Sequence, residues 1–133
     1  MALYSFENVV AWQKAHVFTV SVYTITRNFP KEEVYGLTSQ FRRAAVSIEA
    51  NIAEGYKKLS KADKLRFFNI SQGSLEECRT YILLTRDLCL ADADTVQLLY
   101  QQLEQASWFL NKYCQGVINN NGVKDDDDDK GQK

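Results

Sequence analysis

A single proline, Pro30, stands in this 133-residue chain, and on either side of it apolar side chains recur at helical spacing for most of the length. Ahead of it, Ala11, Ala15, Phe18, Val22, Ile25 and Phe29 follow at spacings of 4-3-4-3-4, which puts them on one stripe of a helix with a coiled-coil-like seam. Asn8 is its expected N-cap and Pro30 its stop. Pro30 then suits the first position of a second helix, with Glu32 and Glu33 near its positive dipole end. The second seam is Val34, Leu37, Phe41, Ala44 or Ala45, Ile48 and Ile52, closing near Gly55. Ser60-x-x-Asp63 resembles a capping box and opens a third helix to about Leu90. Two stripes line that helix: Phe68, Ser71, Leu75, Cys78, Ile82, Thr85 and Cys89, and beside them Phe67, Ile70, Ser74, Tyr81, Leu84 and Leu88. Asp92 or Asp94 caps a fourth, with seam Val96, Leu99, Leu103, Ala106, Leu110, Tyr113 and Val117.

With only six glycines to add to one proline, a strand-rich fold would lack residues for its turns. The reading is all-α: an up-down-up-down antiparallel four-helix bundle over residues 1–120, with helices at about 8–29, 31–56, 61–90 and 93–118. Connections this short force each helix to reverse on the last. Trp12, Tyr23, Tyr56, Tyr100, Trp108 and Phe109 fall off the seams, and surplus apolar surface of this kind points to self-association.

The residues offer little chemistry. His16 is the only histidine, so neither a histidine-pair metal site nor the Glu-x-x-His motifs of di-iron bundles can be built. No glycine-rich phosphate loop is present. The pairs Glu49/Glu54 and Glu76/Glu77 read as helix-surface charges or partners of Arg42, Arg43 and Arg79. Cys78, Cys89 and Cys114 are an odd number without a C-x-x-C pair, and read as reduced, buried thiols of a cytoplasmic protein. No segment approaches the ~20 apolar residues that span a bilayer. The expectations are therefore no catalytic residue, no metal, no cofactor, no small-molecule substrate and no membrane association.

Charge is the informative asymmetry. The whole chain carries a formal −1, yet residues 38–66 hold seven basic side chains against three acidic, while residues 76–104 hold two against six. Arg42, Arg43, Lys57, Lys58, Lys61, Lys64 and Arg66 are the candidate nucleic-acid contacts, most of them around the second turn, where a symmetric oligomer would repeat them into a rim. In the same region Ala44, Ala45, Ser47, Ala50 and Ala53 allow a neighbouring helix to approach closely. Gln40, Asn51 and Glu54, with Ser71 and Ser74 opposite, are expected to form a structural polar network that fixes register.

Three stretches carry a family resemblance: Phe6-Glu-Asn-Val-Val-Ala-Trp12-Gln-Lys, the run from Phe29 through Tyr35-Gly-Leu-Thr-Ser-Gln and Arg42-Arg43 to Asn51-Ile-Ala-Glu-Gly55, and Phe67-Phe68-Asn-Ile-Ser-Gln-Gly73-Ser-Leu-Glu76. Over about residues 4–118 the chain resembles the 23S rRNA intervening-sequence proteins. It departs from their pattern at Glu49, where the family often has proline, and at Ser71–Gln72. The resemblance implies a homo-oligomeric bundle, a pentamer being the expected assembly, with no enzymatic activity. It also implies kinship with the accessory protein of diversity-generating retroelements, whose basic barrel binds nucleic acid, so RNA or DNA is the implied partner. The other reading is a protein-interaction scaffold with no nucleic-acid role.

Residues 121–133 contain five consecutive aspartates, Asp125 to Asp129, between Lys124 and Lys130. They read as a disordered acidic tail, either native or the remnant of an enterokinase-type tag, able to compete with an anionic partner for the basic end.

Overall fold

The structure, a computed structural model, describes residues 1–120, so the expected acidic tail lies outside the described residues. Four helices follow a one-turn 3-10 segment at Ser5–Asn8: α1, Val10–Thr26; α2, Leu37–Lys57; α3, Lys61–Asp87; and α4, Ala93–Asn119. No strand occurs among the described residues. Each helix packs on its chain neighbours, and α4 closes the ring against α1. Cross-helix bonds show the antiparallel sense: Thr19 reaches the Ala45 carbonyl and Arg42 reaches Thr26, while Ser71 reaches the Ile48 carbonyl and Arg43 reaches Glu77.

The seams read from the sequence form the core. Phe18 and Val22 of α1, Phe41, Ile48 and Ile52 of α2, Phe68 and Leu75 of α3, and Leu99, Leu103, Leu110 and Tyr113 of α4 are fully enclosed. Of the two α3 stripes, the one through Phe68, Leu75, Cys78 and Ile82 is buried, whereas Ile70, Leu84 and Leu88 of the other are exposed. Ser74 alone of that second stripe is buried, because it meets α2.

The helix ends depart from expectation where backbone chemistry overrides periodicity. Val9, not Asn8, is the N-cap of α1, since residues 5–8 turn separately, with Glu7 Oε2 accepting from the Leu3 and Tyr4 N–H groups at 2.7 and 2.9 Å. After Pro30, Lys31–Glu33 form a 3-10 turn and α2 begins only at Leu37, leaving Val34 exposed rather than on the seam. α3 stops at Asp87, where Leu90 N–H bonds the Thr85 carbonyl and Cys89 N–H the Arg86 carbonyl. That pairing is a Schellman motif with Cys89 at φ 55°, a position that favours glycine. Ser60 and Asp92 cap α3 and α4 as expected, accepting from Asp63 N–H and Thr95 N–H.

Candidate nucleic-acid interface

The turn between α2 and α3 takes only three residues, 58–60, and its shortness gathers charge. Lys58 is extended and closes α2 through an N–H bond to the Gly55 carbonyl at 3.1 Å. Lys57 and Arg66 are exposed, and Lys58 and Lys61 half-buried. Lys58 Nζ lies 5.0 Å from the Phe67 ring centroid and the Arg66 guanidinium carbon 4.7 Å from it. Two cations thus share one aromatic ring, an arrangement that holds them at the surface with little loss of charge. Asp63 approaches Arg66 at 3.7 Å, but both side chains are more than half exposed, so water screens the pair.

Three of the seven candidate cations do not belong to this cluster. Lys64 is 6% exposed, and its Nζ donates to the Tyr56 carbonyl at 2.7 Å and the Gly55 carbonyl at 3.4 Å. It caps the C-terminus of α2, where unsatisfied carbonyls attract a cation, and is no part of an exposed rim. Arg42 and Arg43 lie fourteen residues or more before Lys57 along α2, some 20 Å at 1.5 Å per residue. They sit toward the opposite end of the bundle, where Arg42 Nε donates to Thr26 Oγ1 at 2.8 Å and Arg43 pairs with Glu77 at 3.4 Å. There they join Arg27 and Lys31. Those two were missed; the available signal was that they flank Pro30.

The polar network exists with different members. Ser74 Oγ donates to Ser47 Oγ at 2.8 Å, Ser71 Oγ to the Ile48 carbonyl at 2.8 Å, and Asn51 Nδ2 to the Ser47 carbonyl at 2.9 Å. Ser47 is its hub. Gln40 and Glu54 are exposed and lie outside it, since their positions turn past the α3-facing arc; the Gln40 side chain instead accepts from Arg43, its neighbour one turn on.

Groups that could do chemistry are otherwise occupied. His16 Nδ1 meets Glu49 Oε2 at 2.9 Å and its ring stacks on Trp12 at 4.7 Å, tying α1 to α2. Burial pushes the Cys78 thiol far above its usual range and Cys114 up to about 11, which leaves both protonated. Cys89, expected to be buried, is exposed at the end of α3. No group of three or more metal-ligating side chains converges among the described residues, and no described helix is long and apolar enough to cross a membrane.

A family model described as 23S rRNA-intervening sequence protein matches residues 7–112. The fold is similar to a solved protein of unknown function from the S23 ribosomal protein family of Bacteroides thetaiotaomicron VPI-5482. The TM-score is 0.74 at 18% identity, over 82% of this chain and 98% of that one. None of the curated proteins matches the chain.

Proposed function

Because the chain belongs to the 23S rRNA-intervening sequence protein family, we propose that it works without catalysis, as a homo-oligomeric, pentameric bundle of the cytoplasm that holds RNA or DNA at a basic end. The observation that carries this reading is the cluster of Lys57, Lys58, Lys61 and Arg66 gathered around one three-residue turn. Four charges are modest alone, but a closed ring repeats them in every copy, and phosphate contacts add through counterion release. Self-association draws support from Leu83, Tyr100 and Trp108 on α3 and α4 and from Leu88 just past the end of α3, each about half exposed.

Light scattering after size exclusion, with and without a mixed RNA oligonucleotide at low and moderate salt, tests it. The expected result is a pentamer that binds RNA at low salt and releases it as salt rises, with binding abolished by Lys57→Glu plus Lys61→Glu. A monomer, or a double variant that binds as the parent does, refutes the basic-end reading. A protein-interaction scaffold is the second reading, favoured by a cleft of about 250 Å³ between α3 and α4 at Ile82, Leu83 and Tyr100. It requires that no oligonucleotide bind at any salt.

A further inference from the structure

At the end of the bundle opposite Lys57, the ten residues between α1 and α2 border a groove of about 500 Å³. Arg27, Lys31, Arg42 and Arg43 line it, and none of its lining residues is acidic. Two nearby carboxylates have partners of their own, and Glu32, beside Lys31, is exposed at the surface. Glu33 Oε1 accepts from the Leu37 N–H at 3.1 Å, and Glu77, on α3, pairs with Arg43 alone of the four cations.

Arg42 is fixed in place. Its Nε donates to Thr26 Oγ1 at 2.8 Å, a terminal nitrogen donates to the Tyr23 carbonyl at 3.4 Å, and the guanidinium lies 4.7 Å over the Tyr23 ring. A guanidinium has five N–H donors in a rigid fork, so these bonds orient it without exhausting it. Thr38, also lining the groove, is 6% exposed, and its Oγ1 is shielded from solvent with no hydrogen-bond partner. A buried hydroxyl left unpaired is costly, and a turn of the Thr38 side chain toward these cations would bring it to an acceptor entering among them.

We propose that this groove binds a phosphate group, held bidentately by Arg42, neutralised by Arg27 and Lys31, and bonded by the Thr38 hydroxyl. A fixed guanidinium fork matches phosphate oxygens in pairs, and the volume is in the range of small-ligand sites. The phosphate has two sources of the same chemistry, a free nucleoside phosphate or the 5′ end of a nucleic-acid strand. The groove is separate from the basic end at Lys57 and does not require it.

The test titrates the full chain at low salt with AMP, and with an RNA decamer bearing either a 5′-phosphate or a 5′-hydroxyl, following the Thr38 amide and Arg42 Nε–H resonances. Saturable shifts are expected with AMP and the phosphorylated decamer, and much weaker ones with the hydroxyl decamer. Equal affinity for AMP and the phosphorylated strand assigns a free nucleotide; preference for the strand assigns a nucleic-acid end. Arg27→Gln with Lys31→Gln, both exposed, should weaken binding about tenfold, as loss of charge-assisted contacts does. Thr38→Val should weaken it about fivefold, the worth of one hydrogen bond, while raising the melting temperature of the free protein. Lys57→Glu with Lys61→Glu should leave these shifts unchanged, which separates the groove from the basic end. No shift with any phosphate probe, or undiminished binding in the Arg27/Lys31 variant, overturns the proposal; a Thr38→Val variant that gains stability with no loss of affinity removes the hydroxyl from it.

Discussion

Gly55 lies tight against Phe67 and Phe68 of α3, and replacing it with alanine adds a methyl group where none fits. A Cβ there would stand 2.5 Å from Phe68 Cε1, 2.9 Å from Phe68 Cδ1 and 3.1 Å from Phe67 Cβ. Carbon atoms rest at about 3.5–4.0 Å, so the Phe68 ring must retreat by roughly 1 Å. It has nowhere to go: Phe68 and Tyr113 are both fully buried, with ring centroids 5.1 Å apart. Overpacking of this kind costs about 1–3 kcal/mol, offset by at most ~1 kcal/mol from alanine's better helix propensity. Gly55→Ala should therefore destabilise by about 1–2 kcal/mol, or roughly 4–8 °C in Tm for a domain of this size. Gly73 supplies the control. It lies mid-helix in α3, exposed, with no atom within 4 Å of a Cβ, so Gly73→Ala should stabilise by up to ~1 kcal/mol. Urea unfolding followed by helical ellipticity, at one protein concentration, reads both. A Gly55→Ala variant as stable as the parent or more so would refute the reasoning, because it would mean that Phe68 yields freely.

Lys64→Met keeps the buried stem and removes the cation from the Tyr56 and Gly55 carbonyls; a loss of about 1.5–3 kcal/mol in urea unfolding is expected, as for hydrogen bonds to charged groups. Cys89→Gly relieves the left-handed backbone at φ 55° and should stabilise by ~1 kcal/mol, while abolishing the fast reaction with a thiol reagent that the exposed Cys89, but neither buried cysteine, gives. The hydrogen bonds from Thr95 hold the Asp92 carboxyl below its ordinary 3.8, so the fold favours its ionised form: the cap is intact above that pH and is lost as the pH falls below it. Thr95 amide protection, taken relative to its intrinsic exchange rate, should fall on that acid side alone, and a titration midpoint for Asp92 at or above 3.8 would contradict the cap.

Helix number, order and seams were legible because each seam repeats over several turns. The α4 stripe from Leu99 to Val117 is buried throughout. What periodicity could not reveal was direction. Counting charge by sequence window merged Arg42 and Arg43 with Lys57, although a helix carries them to different ends. Lys64 was readable in principle: it lies one turn before Phe68, on the buried stripe through Ser71 and Leu75, so its position outweighed its charge. Gln40 and Glu54 failed as network members because they sit just beside the inward arc, and a difference of one residue on a helix is a rotation of about 100°. The groove at Thr38 was not legible, since it depends on the 3-10 turn after Pro30, whose spacing mimics the first turn of an α-helix.

The pairing of each helix with its sequence neighbours also bears on how the chain reaches this state. Three of the four helix interfaces join consecutive segments, and only α1 against α4 spans the chain. Such low contact order belongs to folding in microseconds to milliseconds. The α2–α3 hairpin, with three linking residues and the Ser47 bonds across it, has the least loop entropy to lose. It is the expected nucleus, and the α1–α4 seam is the last to close and the first to open.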